Sequence, residues 1–142
     1  MRRSLPGLLA SILVVVGFLA GCGSSSTEPL DGPLFFVGEI AAQGSEFHTF
    51  TVVSRGIIRV QVVRLAEKVA EGTEPLGFAL TVGLALGRPI DGECVARYSV
   101  RATEGTLEVF ELNGAEFCLR VFDSGLLLAD QVAEYTVSVS AG

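Results

Sequence analysis

The side chains with the greatest capacity for chemistry are few: one histidine, His48, and three cysteines, Cys22, Cys94 and Cys118. A hydrolase of the Ser-His-Asp or Cys-His type needs a histidine base beside its nucleophile. The chain has no GxSxG elbow, no HExxH signature, no P-loop and no GxGxxG loop. His48 shares a face with Phe50 if its segment alternates as a strand, which predicts a partly covered structural histidine. The sequence therefore predicts a protein that is not an enzyme. A carboxylate-only enzyme is the rival, and it would need acidic side chains that converge in a pocket.

Acidic side chains are the other candidates for a site, because Ca²⁺ takes six to eight oxygen ligands from carboxylates and loop carbonyls. Asp91 with Glu93, and Asp123 with Asp130, are two pairs in predicted turns or loops. No DxDxDG-type run accompanies them. The pairs are candidates for a calcium site, with solvated surface charge as the default explanation. No metal or other cofactor is predicted otherwise.

A charged start and an apolar run precede Cys22. Arg2 and Arg3 are followed by residues 8–20, an apolar stretch typical of a signal-peptide core and shorter than the roughly 20 residues that span a bilayer. The tetrapeptide Leu19-Ala20-Gly21-Cys22 resembles the lipobox of bacterial lipoproteins. The resemblance implies cleavage before Cys22 and acylation of that residue. An ordinary signal peptide and a retained membrane helix are the alternatives.

The resemblance implies a protein that its acyl chains anchor to a membrane of the cell envelope, since each buried CH₂ contributes about 0.8 kcal/mol. Gly23, where an aspartate would favour inner-membrane retention, is compatible with the outer membrane if the cell is Gram-negative. Removal of residues 1–21 leaves eight basic and sixteen acidic residues, a net charge of −8. That charge argues against a nucleic-acid partner and against electrostatic binding to anionic lipid.

Cys94 and Cys118 are predicted to form a disulfide bond, because an exported chain meets an oxidising compartment. Two buried free thiols are the alternative. Strand alternation places Cys118 on the face opposite Phe117 and Leu119. A bond therefore requires Cys94 to reach that same outer face, or to lie near an edge.

Period-two alternation dominates the chain after residue 33, and Gly-containing turn signals separate the alternating runs. In residues 78–87, large side chains from Phe78 to Leu86 alternate with small ones. Residues 65–70 are expected to form a helical turn. The predicted strands are 34–40, 47–54, 57–62, 78–87, 94–101, 106–112, 117–122 and 135–140. The sequence thus predicts an all-β antiparallel β-sandwich or jelly roll of about eight strands over residues 34–142. It follows a signal peptide, 1–21, and a lipidated cysteine with a flexible tether, 22–33.

A family resemblance rests on the second half of the chain. Residues 113–125 read "NGAEFCLRVFDSG" and residues 133–140 read "AEYTVSVS", while residues 46–63 supply an earlier hairpin. These segments resemble the bacterial pre-peptidase C-terminal domain, a small β-sandwich often attached to secreted proteases. Ala115-Glu116-Phe117 replaces that family's usual Gly-Thr-Tyr, and Cys118 is not one of its general features. The resemblance implies a binding or accessory module without an active site.

These observations predict a lipid-anchored envelope β-sandwich that acts as a non-enzymatic interaction or accessory module, with a protein partner. The alternative is a lipoprotein that binds a sugar, a peptide or calcium. Phe36, Phe110 and Phe122 fall on the outer face under strict alternation, where they would form a contact patch. A bulge that shifts the register would bury them instead.

Overall fold

The computed structural model describes residues 28–75, 77 and 79–142. The signal peptide, Cys22 and Phe78 lie outside the described residues. Nine strands form, and no described residue is helical. They are β1 (Glu28–Pro29), β2 (Leu34–Ala41), β3 (Ser45–Val52), β4 (Gly56–Glu67), β5 (Val82–Ile90), β6 (Glu93–Ala102), β7 (Leu107–Leu112), β8 (Ala115–Phe122) and β9 (Val132–Ala141). Among these residues there is no helix long and apolar enough to cross a membrane.

Two sheets stack face to face. Sheet A has the order β1-β3-β8-β5-β6, and sheet B has the order β2-β9-β4-β7. All pairs are antiparallel except the two-residue strand β1, which pairs in parallel with β3. The prediction of an all-β antiparallel sandwich of about eight strands is therefore confirmed. The expected helical turn over residues 65–70 is wrong, because Leu65 to Glu67 continue β4 and pair with β9.

The core is the set of alternate side chains that point between the sheets. In β9, buried Ala133, Tyr135, Val137 and Val139 alternate with half-buried polar residues. In β4, Ile58, Val60 and Val62 do the same. Full burial of a side chain of this size contributes about 1.5–3 kcal/mol. This alternation, read directly from the sequence, is what selects strands over helices.

Short turns carry the chain between the sheets at both lateral sides of the sandwich. The β2–β3 turn joins the edge strand of sheet B to β3 of sheet A, and the β6–β7 turn joins the other two edge strands. A lateral side is thus the flank of the sandwich where the edge of sheet A lies beside the edge of sheet B. We call the two flanks the β2–β3 side and the β6–β7 side. On the β2–β3 side, β1 adds a short strand outside β3, and the Leu30 amide donates to the Thr51 carbonyl at 2.9 Å. Glu28 to Leu30, which sequence analysis placed in the tether, therefore already pair with the sandwich.

The small-residue face of β5 is covered by neighbours on the outside of sheet A. The Phe122 ring lies over Gly83, and the disulfide between Cys94 and Cys118 lies at the level of Gly87. Their Cα atoms are 5.7 Å apart, within the usual range for a disulfide. The predicted pairing on the outer face is confirmed. Both sulfurs are buried, so the bond ties β6 to β8 across β5.

Gly38 on β2 is required by the packing beneath it. A Cβ atom there would lie 2.1 Å from Glu46 Oε2 and 2.3 Å from the Tyr135 hydroxyl. Tyr135 is 1% exposed and has no room to move aside. The absence of a side chain at position 38 is therefore what lets the tyrosine hydroxyl meet the carboxylate.

Replacement of this glycine tests that packing. We expect Gly38→Ala to lower the free energy of unfolding by about 1–3 kcal/mol, the usual effect of overpacking a close-packed interior. Gly32→Ala is the matched control, because a Cβ there meets no atom within 4 Å, and it should change stability by less than about 0.5 kcal/mol. Denaturant melts of both variants measure the difference, and equal midpoints would contradict this account of Gly38.

Candidate binding cleft

His48, the one histidine, belongs to a polar group that closes the β2–β3 side of the sandwich. Its Nε2 atom is 2.8 Å from the Tyr135 hydroxyl, and that hydroxyl donates to Glu46 Oε2 at 2.7 Å. The Phe36 ring stacks on the imidazole with 4.7 Å between centroids. A tyrosine, and not a serine, therefore occupies the position that a hydrolase would give to its nucleophile.

The electrostatics of this group favour a neutral imidazole. Burial lowers the pKa of His48, and the nearby Glu46 carboxylate opposes that shift only in part. Burial also raises the pKa of Tyr135, with a further contribution from its hydrogen bond to Glu46, so the hydroxyl stays protonated. A neutral His48 that donates from Nε2 to the tyrosine oxygen satisfies the whole chain of bonds. The arrangement is structural: it pairs three polar groups at the edge of an apolar core.

The predicted calcium ligand Asp123 binds backbone amides with both of its carboxylate oxygens. Asp123 Oδ1 accepts the amides of residues 125, 126 and 127, and its Oδ2 accepts the Gln43 amide at 2.8 Å. These bonds lower the pKa of the Asp123 carboxyl, and they use both oxygens to join two loops. Asp91 has a φ of 51° in the turn between β5 and β6, and Glu93 begins β6. No group of three or more His, Cys, Asp or Glu side chains able to hold a metal occurs in the described part of the chain.

Two of the three phenylalanines predicted on the outer face turn inward. Phe36 stacks on His48, and Phe110 pairs with the buried Ile58 of β4. The prediction was wrong for these two because their neighbours Phe35 and Val109 are also apolar, so alternation alone does not choose the face. Phe122 does lie on the outer face, with the Arg120 guanidinium 4.9 Å from its ring centroid.

A cavity lies on the other lateral side, between edge strands β6 and β7. Its volume is about 760 Å³. The lining consists of residues 86–90 of β5, Arg97 and Tyr98 of β6, residues 110–113 at the end of β7, and Phe117 of β8. We call this cavity the β6–β7 cleft. Its size falls in the range of about 300–1,000 Å³ that is typical of binding sites.

A β-bulge aims two neighbouring side chains of β6 into the cleft. Leu86 pairs with Tyr98 and Gly87 pairs with Ala96, so Arg97 is an extra residue in the ladder. Strict alternation would send Arg97 and Tyr98 to opposite faces, yet both line the cleft. A bulge has this effect because two residues on one strand oppose one residue on the other.

Gly87 is the residue that the bulge folds around. A Cβ atom at this position would lie 2.0 Å from the Val95 carbonyl oxygen, so the two strands approach closely only because it is glycine. The disulfide lies at the same level, on the outer face of the sheet. The close approach at Gly87 and the disulfide therefore both hold β6, which carries Arg97, against β5.

The floor of the cleft is aromatic. The Arg88 guanidinium carbon is 5.0 Å from the Phe117 ring centroid, in cation–π contact. Tyr98 meets Phe110 edge to face at 5.0 Å, which closes the cleft where β6 and β7 approach each other. The Tyr98 hydroxyl donates to Glu108 at 2.9 Å, and this bond raises the pKa of Tyr98.

The ionisable residues that line the cleft leave it positive. Glu111 is bound by Arg55, whose Nε donates to its Oε1 at 2.8 Å. Neither Arg88 nor Arg97 forms a salt bridge with any residue that the structure describes. Two arginines thus face one cavity in a chain whose net charge is −6. Such a site can bind an anion against an apolar surface, and its lining offers no nucleophile beside a base.

Sequence reasoning missed both arginines. The signal that could have located them is the Gly87-Arg88-Pro89 run, because glycine and proline inside a strand mark a bulge or an interrupted ladder. The predicted strand ended at Gly87, whereas β5 continues to Ile90. Arg88 consequently lay outside every predicted strand.

Comparison with known proteins bears on the fold. No protein-family model matches the chain, so its resemblance to the pre-peptidase C-terminal domain stays a prediction, and no curated protein matches it either. One similar solved structure is PliG of Aeromonas hydrophila, a periplasmic inhibitor of g-type lysozyme. The two chains share 11% identity at a TM-score of 0.51, and the match covers 82% of this chain and 96% of PliG. This likeness shows a common fold.

The lowered pKa of His48 makes stability depend on pH. The unfolded chain binds the proton more readily than the folded protein, so the free energy of unfolding should fall as the pH drops through about 6.5. Denaturant melts at pH 7.5 and 5.5 measure the effect. Between these two pH values, we expect the free energy of unfolding to fall more for the unaltered protein than for His48→Gln, because glutamine does not titrate. An equal loss in the two proteins would show that protonation of His48 does not oppose folding.

Proposed function

We propose that this protein is a lipid-anchored, non-enzymatic module of a bacterial cell envelope that binds another protein. The observation that carries the proposal is the β6–β7 cleft, an open edge of the sandwich where aromatic and guanidinium groups suited to binding are held in place. Arg and aromatic side chains are the residues that dominate protein–protein recognition.

The envelope location is supported by two independent features. Residues 2–22 carry the signal and the lipobox-like tetrapeptide that ends at Cys22. The Cys94–Cys118 disulfide is a bond that forms and persists in oxidising compartments outside the cytoplasm. Both features agree with an exported, membrane-tethered domain, and the outer membrane is its destination if the cell is Gram-negative.

Action on a protein is supported by the fold. The similar structure is, by its description, a periplasmic inhibitor of a lysozyme, so a sandwich of this type serves in an envelope compartment by engaging another protein. We infer the same general mode of action here, without assigning a lysozyme as the target. A second candidate is a small-ligand lipoprotein, which the volume of the cleft favours.

The anchor is tested by substitution of Cys22 in a producing bacterium. We expect the unaltered protein to incorporate labelled palmitate and to sediment with membranes. Cys22→Ser should lose the label and the lipid anchor, since acyl chains supply the attachment. The matched control is the double variant Cys94→Ser and Cys118→Ser, which should keep the label. Labelled palmitate on Cys22→Ser would contradict lipidation at this residue.

The protein partner is tested by photocrosslinking in intact cells. A photoreactive phenylalanine replaces Tyr98 or Ile90 in the cleft, which are 40% and 47% exposed. The control position is Val37, 67% exposed on β2 at the opposite lateral side. We expect a discrete protein adduct from the cleft positions and none from Val37. Adducts from neither cleft position, or equal adducts from all three, would contradict the proposal.

A further inference from the structure

We propose that the β6–β7 cleft binds an extended acidic segment of the protein partner, in which carboxylate side chains flank an apolar residue. This inference rests on the proposed function and deepens it, because it names the chemistry that the cleft recognises. It draws on the charge of the cleft, its aromatic floor and its two free strand edges.

The positive charge of the cleft favours a ligand that carries carboxylates. Arg88 and Arg97 face the cavity without a salt bridge to any described residue, while Glu111 is already neutralised by Arg55. A guanidinium forms two parallel hydrogen bonds with a carboxylate, a geometry that lysine does not provide. Two such groups in one cleft therefore favour a ligand with more than one carboxylate.

The aromatic floor of the cleft favours an apolar residue in the bound segment. Phe117 is 8% exposed and lies under Arg88, and Leu86 and Phe110 line the same cavity. The cation–π contact with Phe117 holds the Arg88 guanidinium against the floor, and this guanidinium forms no salt bridge with a described residue. An apolar side chain placed between two carboxylates would cover the aromatic surface as the arginines bind on either side.

The free edges of β6 and β7 favour a ligand segment with an extended backbone. β6 and β7 are the last strands of their sheets, so each presents one row of backbone donors and acceptors to the cleft side. The bulge at Arg97 interrupts the ladder of β6, whereas β7 keeps a regular register with β4. An added strand therefore pairs best with β7, and alternate side chains of that strand then face the arginines and the floor.

The test measures binding of a designed peptide by the full-length protein purified from membranes in detergent. The probe is a fluorescein-labelled, acetylated pentapeptide in which two glutamates flank a central phenylalanine. Its matched control has glutamines in place of the glutamates. We expect fluorescence polarisation to show at least tenfold weaker binding of the glutamine peptide, and a loss of affinity for the glutamate peptide between 50 and 300 mM salt.

Variants of the protein locate the binding. Arg88→Gln and Arg97→Gln should each weaken binding of the glutamate peptide by about tenfold, a typical effect of removing one charge-assisted pair. Arg101→Gln is the control. Arg101 is on β6, pairs with Gly83 of β5 and does not line the cleft. This variant should bind the glutamate peptide as tightly as the unaltered protein does. Thermal melts confirm that each variant is folded.

Three results would overturn the inference. The first is equal affinity for the glutamate and glutamine peptides. The second is an affinity for the glutamate peptide that neither Arg88→Gln nor Arg97→Gln changes. The third is binding of free 3-phenylpropanoate at the cleft by a protein that does not bind the glutamate peptide. The last result would assign the cleft to a small carboxylate ligand. If photocrosslinking from Tyr98 and Ile90 still yields a protein adduct, each of these results removes the acidic segment and leaves the protein-binding function in place.

Discussion

The two sheets share one apolar interior, and any polar group that is buried where their edges meet must be paired. On the β2–β3 side, closure depends on the hydroxyl of Tyr135, a polar group in a side chain that is 1% exposed. Burial of an unpaired hydroxyl costs roughly 1–3 kcal/mol, so Glu46 and His48 are held against it and Gly38 leaves them room. That side is filled by these side chains, whereas the β6–β7 side contains a cavity.

The β6–β7 side is left open by a different arrangement. Tyr98 and Phe110 bring the two edge strands together at one point, and both residues line the cleft. The bulge at Gly87 turns Arg97 inward, and the disulfide on the reverse face prevents β6 from shifting to relax it. A bulge at a sheet edge interrupts the ladder at one position and re-aims a side chain there.

The filled side contributes to the stability of the fold, whereas the open side presents the groups that we propose for binding. A filled side, a buried core and a disulfide make the domain rigid, and rigid presentation lowers the entropic cost of binding. The open side presents cationic groups on a protein that is acidic overall, so they are distinct from the surrounding surface. The interaction module that we propose needs no reactive side chain: it needs one edge that other strands of its own fold do not cover.

The sequence by itself determined the strands, because period-two alternation is a local property that each segment carries without reference to its partners. It also predicted the Cys94–Cys118 bond, because two cysteines outside the lipobox-like tetrapeptide would pair in an oxidising compartment. Only the tertiary structure decided which strands became edges, whether Phe36 and Phe110 faced inward, and where Arg88 and Arg97 met. Those outcomes depend on strand register and on one bulge, and a shift of a single residue reverses the face of a side chain without any change in composition.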